Sequence, residues 1–220
     1  MMLNGIINSP NGQPALYEYR ISDKTNPSVY GKIDKPQFLW AGGWYLYTLY
    51  NLFGLRENEW NISFNPYIPQ DLDSVTFNMN VKGKLTNVHI TGKGDNVAYV
   101  EYNGKRVPSL IIPDDLVDLN KIDIVLGKPL EPIVYSANAI VYNPVYNQNK
   151  NTLDFRLDSF EGHLTQIKII SPNKHKNISI NDKSIENEFQ ENKKDGLIEL
   201  VISGETHLKS SNYSIQFESR

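Results

Sequence analysis

The sequence predicts a mainly β protein, built as two tandem antiparallel β-sandwich units preceded by an irregular segment and one apolar α-helix. Three observations carry this prediction. Beyond residue 57 the chain runs in short apolar/polar alternations separated by Gly, Pro, Asn and Asp, the pattern of strands joined by tight turns. Two stretches of that region repeat one another. Ahead of it, only Gln37 to Phe53 has the length and apolar content of a helix. The expected division is therefore 1–57, 58–130 and 131–220.

The helix has start and stop signals. Pro36 suits a first helical turn, Asp34 can cap it, and Gly54 can end it in a left-handed conformation. Phe38, Leu39, Trp40, Trp44, Tyr45, Leu46, Leu49, Leu52 and Phe53 spread around its whole circumference. A helix apolar on all sides belongs inside a larger structure. It needs a second copy of the chain, an upstream domain or a sheet face to bury it.

The repeat is specific residue by residue. Gly83, Leu85, Thr86, Val88 and Ile90 match Gly162, Leu164, Thr165, Ile167 and Ile169 at an offset of 79. Upstream, Phe77 matches Phe155. Downstream, Tyr102-Asn103-Gly104-Lys105 matches Ile180-Asn181-Asp182-Lys183 at 78, and Ile122 to Gly127 matches Ile198 to Ser203 at 76. Small drifts in offset are what loop insertions and deletions produce, so the chain reads as two related β units. Asn103-Gly104 is a strong hairpin turn, and Asn181-Asp182 is its weaker counterpart. Pro129 and Pro132 mark the junction, because proline resists continuing a ladder.

Composition narrows the function. The 220 residues carry 22 basic and 25 acidic side chains for a formal charge of -3, which leaves no electrostatic footprint for nucleic acid. Cysteine is absent, so disulfides, thiolate metal sites and cysteine nucleophiles are excluded. The longest apolar stretch, Phe38 to Phe53, is interrupted by Gly42, Gly43, Thr48 and Asn51 and falls short of the roughly 20 residues of a spanning helix. No membrane association is expected. The start lacks the basic flank and apolar run of a secretory signal, and a cytoplasmic location is expected.

Catalytic patterns are sparse. His89, His163, His175 and His207 have no second ligand at metal spacing, and His89 and His163 read as outward strand residues. Asp114, Asp115 and Asp118 read as a solvated loop. No Gly-X-Ser-X-Gly elbow is present. No metal and no cofactor is expected.

The informative stretch is 13–69. Tyr17-Glu18-Tyr19-Arg20 precedes a polar loop, then comes Trp40-Ala41-Gly42-Gly43-Trp44, then Phe53-Gly54-Leu55-Arg56, then Asn65-Pro66-Tyr67-Ile68-Pro69. This order resembles the end of the catalytic barrel in the six-hairpin, (α/α)6-barrel glycosidases and the related cellobiose-phosphorylase-like enzymes, over roughly residues 13–92. In that family a Trp/Gly-rich last barrel helix ends in a Leu-Gly-Ile/Leu-Arg-like phrase. A short strand and an Asn/Asp-Pro-x-Ile/Leu-Pro phrase then lead into a C-terminal β domain.

The resemblance implies a general-base role for Glu18, set before the helix, with Tyr17, Tyr19, Trp40 and Trp44 as sugar-binding aromatics. The plainer reading makes Glu18 a loop carboxylate paired with Arg20, and the aromatics core residues; Trp60 and Tyr45 stand under the same two readings. An inverting mechanism needs a second carboxyl, the general acid, about 6.5–9.5 Å away, and the resemblance implies that this acid lies upstream, outside this chain. Twelve barrel helices need on the order of 250–300 residues, whereas about 57 precede the strands. Ala41-Gly42-Gly43 lacks the hydroxyls with which the phosphorylase branch holds phosphate. The expectation is a C-terminal portion, non-catalytic on its own, of a glycoside hydrolase-like protein that braces the barrel and supplies substrate-binding loops. Its partners would be an oligosaccharide or polysaccharide and either the missing barrel or a second copy of the chain. The alternative is a stand-alone carbohydrate-binding or immunoglobulin-like interaction module.

Overall fold

A computed structural model of the protein describes residues 17–22, 30–36, 43, 47, 50–51, 53–185, 189–205 and 209–219. The chain divides into two compact units, Met1–Leu52 and Phe53–Arg220.

In the first unit, β1 (Tyr17–Ser22) pairs antiparallel with β2 (Tyr30–Pro36). This ribbon lies in the stretch expected to be irregular. Tyr17 to Ile21 alternates aromatic or aliphatic residues with charged ones, a β-compatible pattern that its Gly/Pro-rich surroundings obscured. The second strand runs through Asp34 and Pro36, so neither starts a helix; proline is tolerated at a ribbon end, where no ladder donor is required. The helix expected over Gln37–Phe53 falls mostly outside the described residues. Within it, Gly43, Tyr47, Tyr50 and Asn51 have helical backbone, and the Asn51 side chain donates to Tyr47 O at 2.8 Å.

The second unit is mainly β, with antiparallel sheets packed in a sandwich-like arrangement. The strand β3 (Leu55–Glu57) pairs with β4 (Ile62–Phe64). Next come β5 (Ser74–Val81), β6 (Lys84–Gly92), β7 (Val97–Tyr102), β8 (Lys105–Arg106) and β9 (Lys121–Leu126). They form one five-stranded sheet in the order β5-β6-β9-β7-β8. Its β6–β9 pair is parallel, because the chain crosses from β8 to β9 through residues 107–120 instead of through a hairpin.

The remaining strands are β10 (Ile133–Ala137), β11 (Ile140–Asn147), β12 (Thr152–Asp158), β13 (Leu164–Ser171), β14 (His175–Ile180), β15 (Lys183–Ser184), β16 (Phe189–Lys194), β17 (Leu197–Glu205) and β18 (Ser210–Phe217). They form a four-stranded sheet, β10-β13-β17-β16, and a five-stranded sheet, β11-β12-β18-β14-β15. His175 Nδ1 on β14 lies 2.5 Å from Glu191 Oε2 on β16, tying these two sheets together at one edge.

The repeat reappears as matched environments. Thr86, Val88 and Ile90 are buried, as are Thr165, Ile167 and Ile169, while Leu85 and Leu164 are exposed on the strand ends beside them. The turn residues Asn103-Gly104 and Asn181-Asp182 all have positive φ, and each asparagine reaches past its own hairpin. Asn103 Oδ1 accepts from the amides of Asn120 and Lys121, both at 3.0 Å, and Asn181 Oδ1 accepts from the amide of Asn212 at 2.8 Å. Strand pairing does not repeat. Phe77 sits on β5, hydrogen-bonded to β6, whereas Phe155 sits on β12, in a different sheet from β13.

Two apolar cores result, and they share a wall. One lies under β5, β6, β7 and β9 and includes Phe64, Leu110, Ile112 and Ile133. The other lies between the two later sheets and includes Ile111 and Val134. Backbone bonds knit the wall: Phe64 N to Leu110 O at 3.0 Å, Leu110 N to Val134 O at 2.9 Å and Val134 N to Pro108 O at 2.9 Å. Successive side chains of an extended segment point to opposite faces, so this short stretch serves both cores at once.

Candidate functional site

Of the residues singled out by sequence, Trp40 and Trp44 lie outside the described residues. Tyr17, Glu18 and Tyr19 follow one another along β1, with Tyr17 opposite Pro36 and Tyr19 opposite Asp34. Glu18 thus belongs to a strand and not to a loop; the side chains of these three lie outside what is described.

The two phrases that carried the family resemblance are one structural object. Leu55 pairs with Phe64, and the Asn65 amide donates to Gly54 O at 2.7 Å. Gly54 has φ +92°, and a Cβ there would lie 2.1 Å from the Asn65 carbonyl oxygen. Only glycine allows both that backbone conformation and that approach. The loop joining the strands is closed by Asn58, whose Oδ1 accepts from the amides of Trp60 at 2.8 Å and Asn61 at 2.9 Å. Asn61 then donates from Nδ2 to Ala137 O at 2.7 Å and Ala139 O at 3.2 Å, fastening the ribbon to the turn between β10 and β11.

At the tip of this loop Trp60 stacks on Phe160, with ring centroids 5.5 Å apart, and meets His163 in a tilted contact at 4.8 Å. His163 is not an outward strand residue, as expected from sequence. It sits in the turn before β13, half-buried, with Nε2 2.8 Å from Asn138 O. Trp60 therefore packs between elements. Phe160 remains 58% exposed, so one face of this aromatic group is open to solvent.

A second feature went unseen in the sequence. Along β12, Leu153, Phe155 and Leu157 point into the core, which sends Asp154, Arg156 and Asp158 to the other face. There Asp154, Arg156, Ser179, Asn212 and Ser214 line an open cleft of about 500 Å³, closed on one side by Tyr142. Arg156 Cζ lies 4.0 Å from the Tyr142 ring centroid and its Nε 3.2 Å from Asp158 Oδ1, so its guanidinium contacts both an aromatic face and a carboxylate. Ser214 donates to Asp154 Oδ1. Burial, first, and the nearby Asp114 and Asp158 charges push the Tyr142 hydroxyl above the usual phenol range. The available signal was the alternation of apolar with charged residues over 152–158, which marks a strand with one solvated face.

Such a surface, planar amide, guanidinium and carboxylate groups beside a ring, exchanges hydrogen bonds with hydroxyl-rich ligands. No histidine lines it. Among the described residues no three His, Asp or Glu side chains converge to hold a metal ion.

Residues 55–107 match the family model of the glycosyl hydrolase family 65 C-terminal domain. The match begins in β3 and covers the ribbon, β5, β6, β7 and β8. It is consistent with the C-terminal region of a six-hairpin glycosidase and supports a C-terminal module of the glycoside hydrolase-like kind. No curated protein and no solved structure matches the chain.

Proposed function

Starting from this match, we propose that the chain acts as the non-catalytic C-terminal part of a carbohydrate-active protein, bracing an (α/α)6 barrel and contributing loops that meet saccharide. The observation that carries the reading is the locked ribbon. The phrase that ends the last barrel helix in that family and the phrase that follows it are joined here by the Gly54–Asn65 contact, within or beside the matched residues.

Bracing is tested by mixing the chain with a family 65 enzyme whose own C-terminal domain has been deleted. A one-to-one complex in sedimentation is the expected result. Two separate species would overturn bracing, and self-association of the chain alone would favour a second copy as the partner that covers the apolar stretch 37–53. The purified chain is expected to show neither hydrolysis nor phosphorolysis of oligosaccharides, since the family resemblance puts the acid partner of Glu18 in the upstream part of the barrel; measurable turnover would reject the non-catalytic assignment.

The polar cleft favours a second reading, a saccharide-binding face on the outer sheet. Retardation of the chain in gels containing soluble polysaccharide, abolished by Arg156→Ala, is the expected behaviour. Unretarded migration of the unmodified chain would set the second reading aside.

A further inference from the structure

The Arg156 cleft continues past Ser214. It shares Ser179 and Ser214 with a second trough of about 530 Å³ that runs on along the same face to Thr152, Gln216 and Asn177. Strand register explains the continuity. Asp154, Ser214 and Ser179 lie opposite one another on β12, β18 and β14, and Thr152, Gln216 and Asn177 form the next such row. Leu153, Ile215 and Ile178, between these rows, are buried, so both rows face outward. From the Arg156–Asn212 pair to the Thr152–Gln216 pair the strands advance about 13 Å. Part of this surface is held by neighbours: Ser214 donates to Asp154 Oδ1, and Ser184 donates to Asn177 Oδ1 at 2.9 Å. The side-chain amides of Asn212 and Gln216, on the central strand β18, make no hydrogen bond among the described residues. Each has donors and an acceptor to offer a ligand.

Size and charge decide the guest. Each trough alone has the volume of a complete small-molecule site, roughly 300–1,000 Å³, and the two join, so a single ring would leave most of the surface unmet. The cations Lys150, Arg156 and Lys176 are offset by four lining carboxylates, Asp154 among them, so neither a polyanion nor a polycation gains along the whole length. Outward rows recur every second residue, about 7 Å apart along the strands, and a ligand of repeating hydroxyl-bearing units can meet one row after another. We infer that this sheet face binds a linear, uncharged polysaccharide laid along β18, with the Thr152–Gln216–Asn177 row as a second contact point beyond the Arg156 cleft. The inference rests on the saccharide-binding reading of that cleft and adds the ligand's length, direction and charge.

The test is isothermal titration calorimetry on the full chain with maltose and maltohexaose, cellobiose and cellohexaose, and hexagalacturonate as a charged chain of the same length. In at least one neutral series the hexasaccharide is expected to bind about thirtyfold or more tighter than the disaccharide, beyond the gain from offering a short site several registers. Hexagalacturonate is expected to bind more weakly than that hexasaccharide. Gln216→Ala, an exposed substitution whose fold is checked by circular dichroism, is expected to cost the hexasaccharide about tenfold and to erase most of the gain from length. Thr76→Ala removes an exposed hydroxyl from β5, in the other five-stranded sheet, and is expected to leave every affinity unchanged. Equal affinity for both lengths, or a length gain that survives Gln216→Ala, would overturn the extended site and leave the Arg156 cleft as a short one. Equal losses in the Gln216 and Thr76 variants, or tighter binding of hexagalacturonate, would also overturn it. No binding of any saccharide would remove the reading of the cleft itself, and the inference with it.

Discussion

Gly54 concentrates two demands on one residue. Its φ of +92° lies in the region that other residues adopt at a cost of roughly 1–2 kcal/mol, and the space for a Cβ is already taken by the Asn65 carbonyl. Gly54→Ala is therefore expected to destabilise the chain by about 2–4 kcal/mol in urea titration, more than the conformational term alone. A loss below about 1 kcal/mol would mean that the ribbon relaxes without resistance. Glu131 makes a prediction about pH. Its folded-state carboxyl titrates above its unfolded value, so the native chain holds a proton that the unfolded chain has released. The stability it contributes is fully present below the unfolded carboxylate range and is lost as pH rises through the raised folded value. Glu131→Leu is expected to remove that decline, flattening the stability profile across weakly acid pH. Asp114 works in the opposite sense. The Lys82 ammonium, 2.7 Å from its Oδ1, holds its carboxyl below the usual range, and this solvent-screened contribution fades as pH falls through that lowered value.

Among the elements, the paired hairpins permit a controlled comparison. Asn103 accepts two backbone amides from outside its hairpin and Asn181 accepts one, although both occupy the same turn position with nearly equal φ. Asn103→Ala is thus expected to cost about 1 kcal/mol more than Asn181→Ala, as measured by thermal unfolding; equal losses would mean that φ alone sets the cost. The strand succession could be read from sequence because period-two alternation and Asn-Gly turns are local signals. Residues such as Val88 and Ile90 declare their face without knowing their neighbour strand. Pairing was not legible, since the same Gly-X-Leu-Thr phrase leads a hairpin strand at 83–86 and, at 162–165, a strand that crosses to another sheet. The two-residue turn Lys82-Gly83 closes the first as a hairpin, whereas residues 159–163 carry the chain from one sheet to the other in the second. The Arg156 cleft was hidden for a related reason: its residues come from β11, β12, β14 and β18, and none forms a motif along the chain. Of the residues proposed from family resemblance, Glu18 proved to be in a strand whose pattern lay among turn-forming residues, and the two tryptophans fall outside the described residues.

For the molecule as a whole, the decisive fact is that Phe53–Arg220 is one compact unit despite its internal repeat. Removing residues beyond 130 would take away Ile133, which is 2% exposed in the first core, and would leave Leu110 N without Val134 O. A chain ending at 130 is expected to lack cooperative unfolding, and residues 53–220 are expected to unfold in one transition seen alike by fluorescence and circular dichroism. Two separated transitions would show that each repeat stands by itself.

The alternation of Leu110, Ile111 and Ile112 also bears on how this architecture can be recombined. Any crossover placed between residues 108 and 134 would deliver a partition carrying apolar side chains on both sides to a recipient able to cover only one of them. Domain shuffling or cassette-style engineering must therefore move the repeats as an inseparable couple, and sequence drift in either is constrained by a tenant it does not encode.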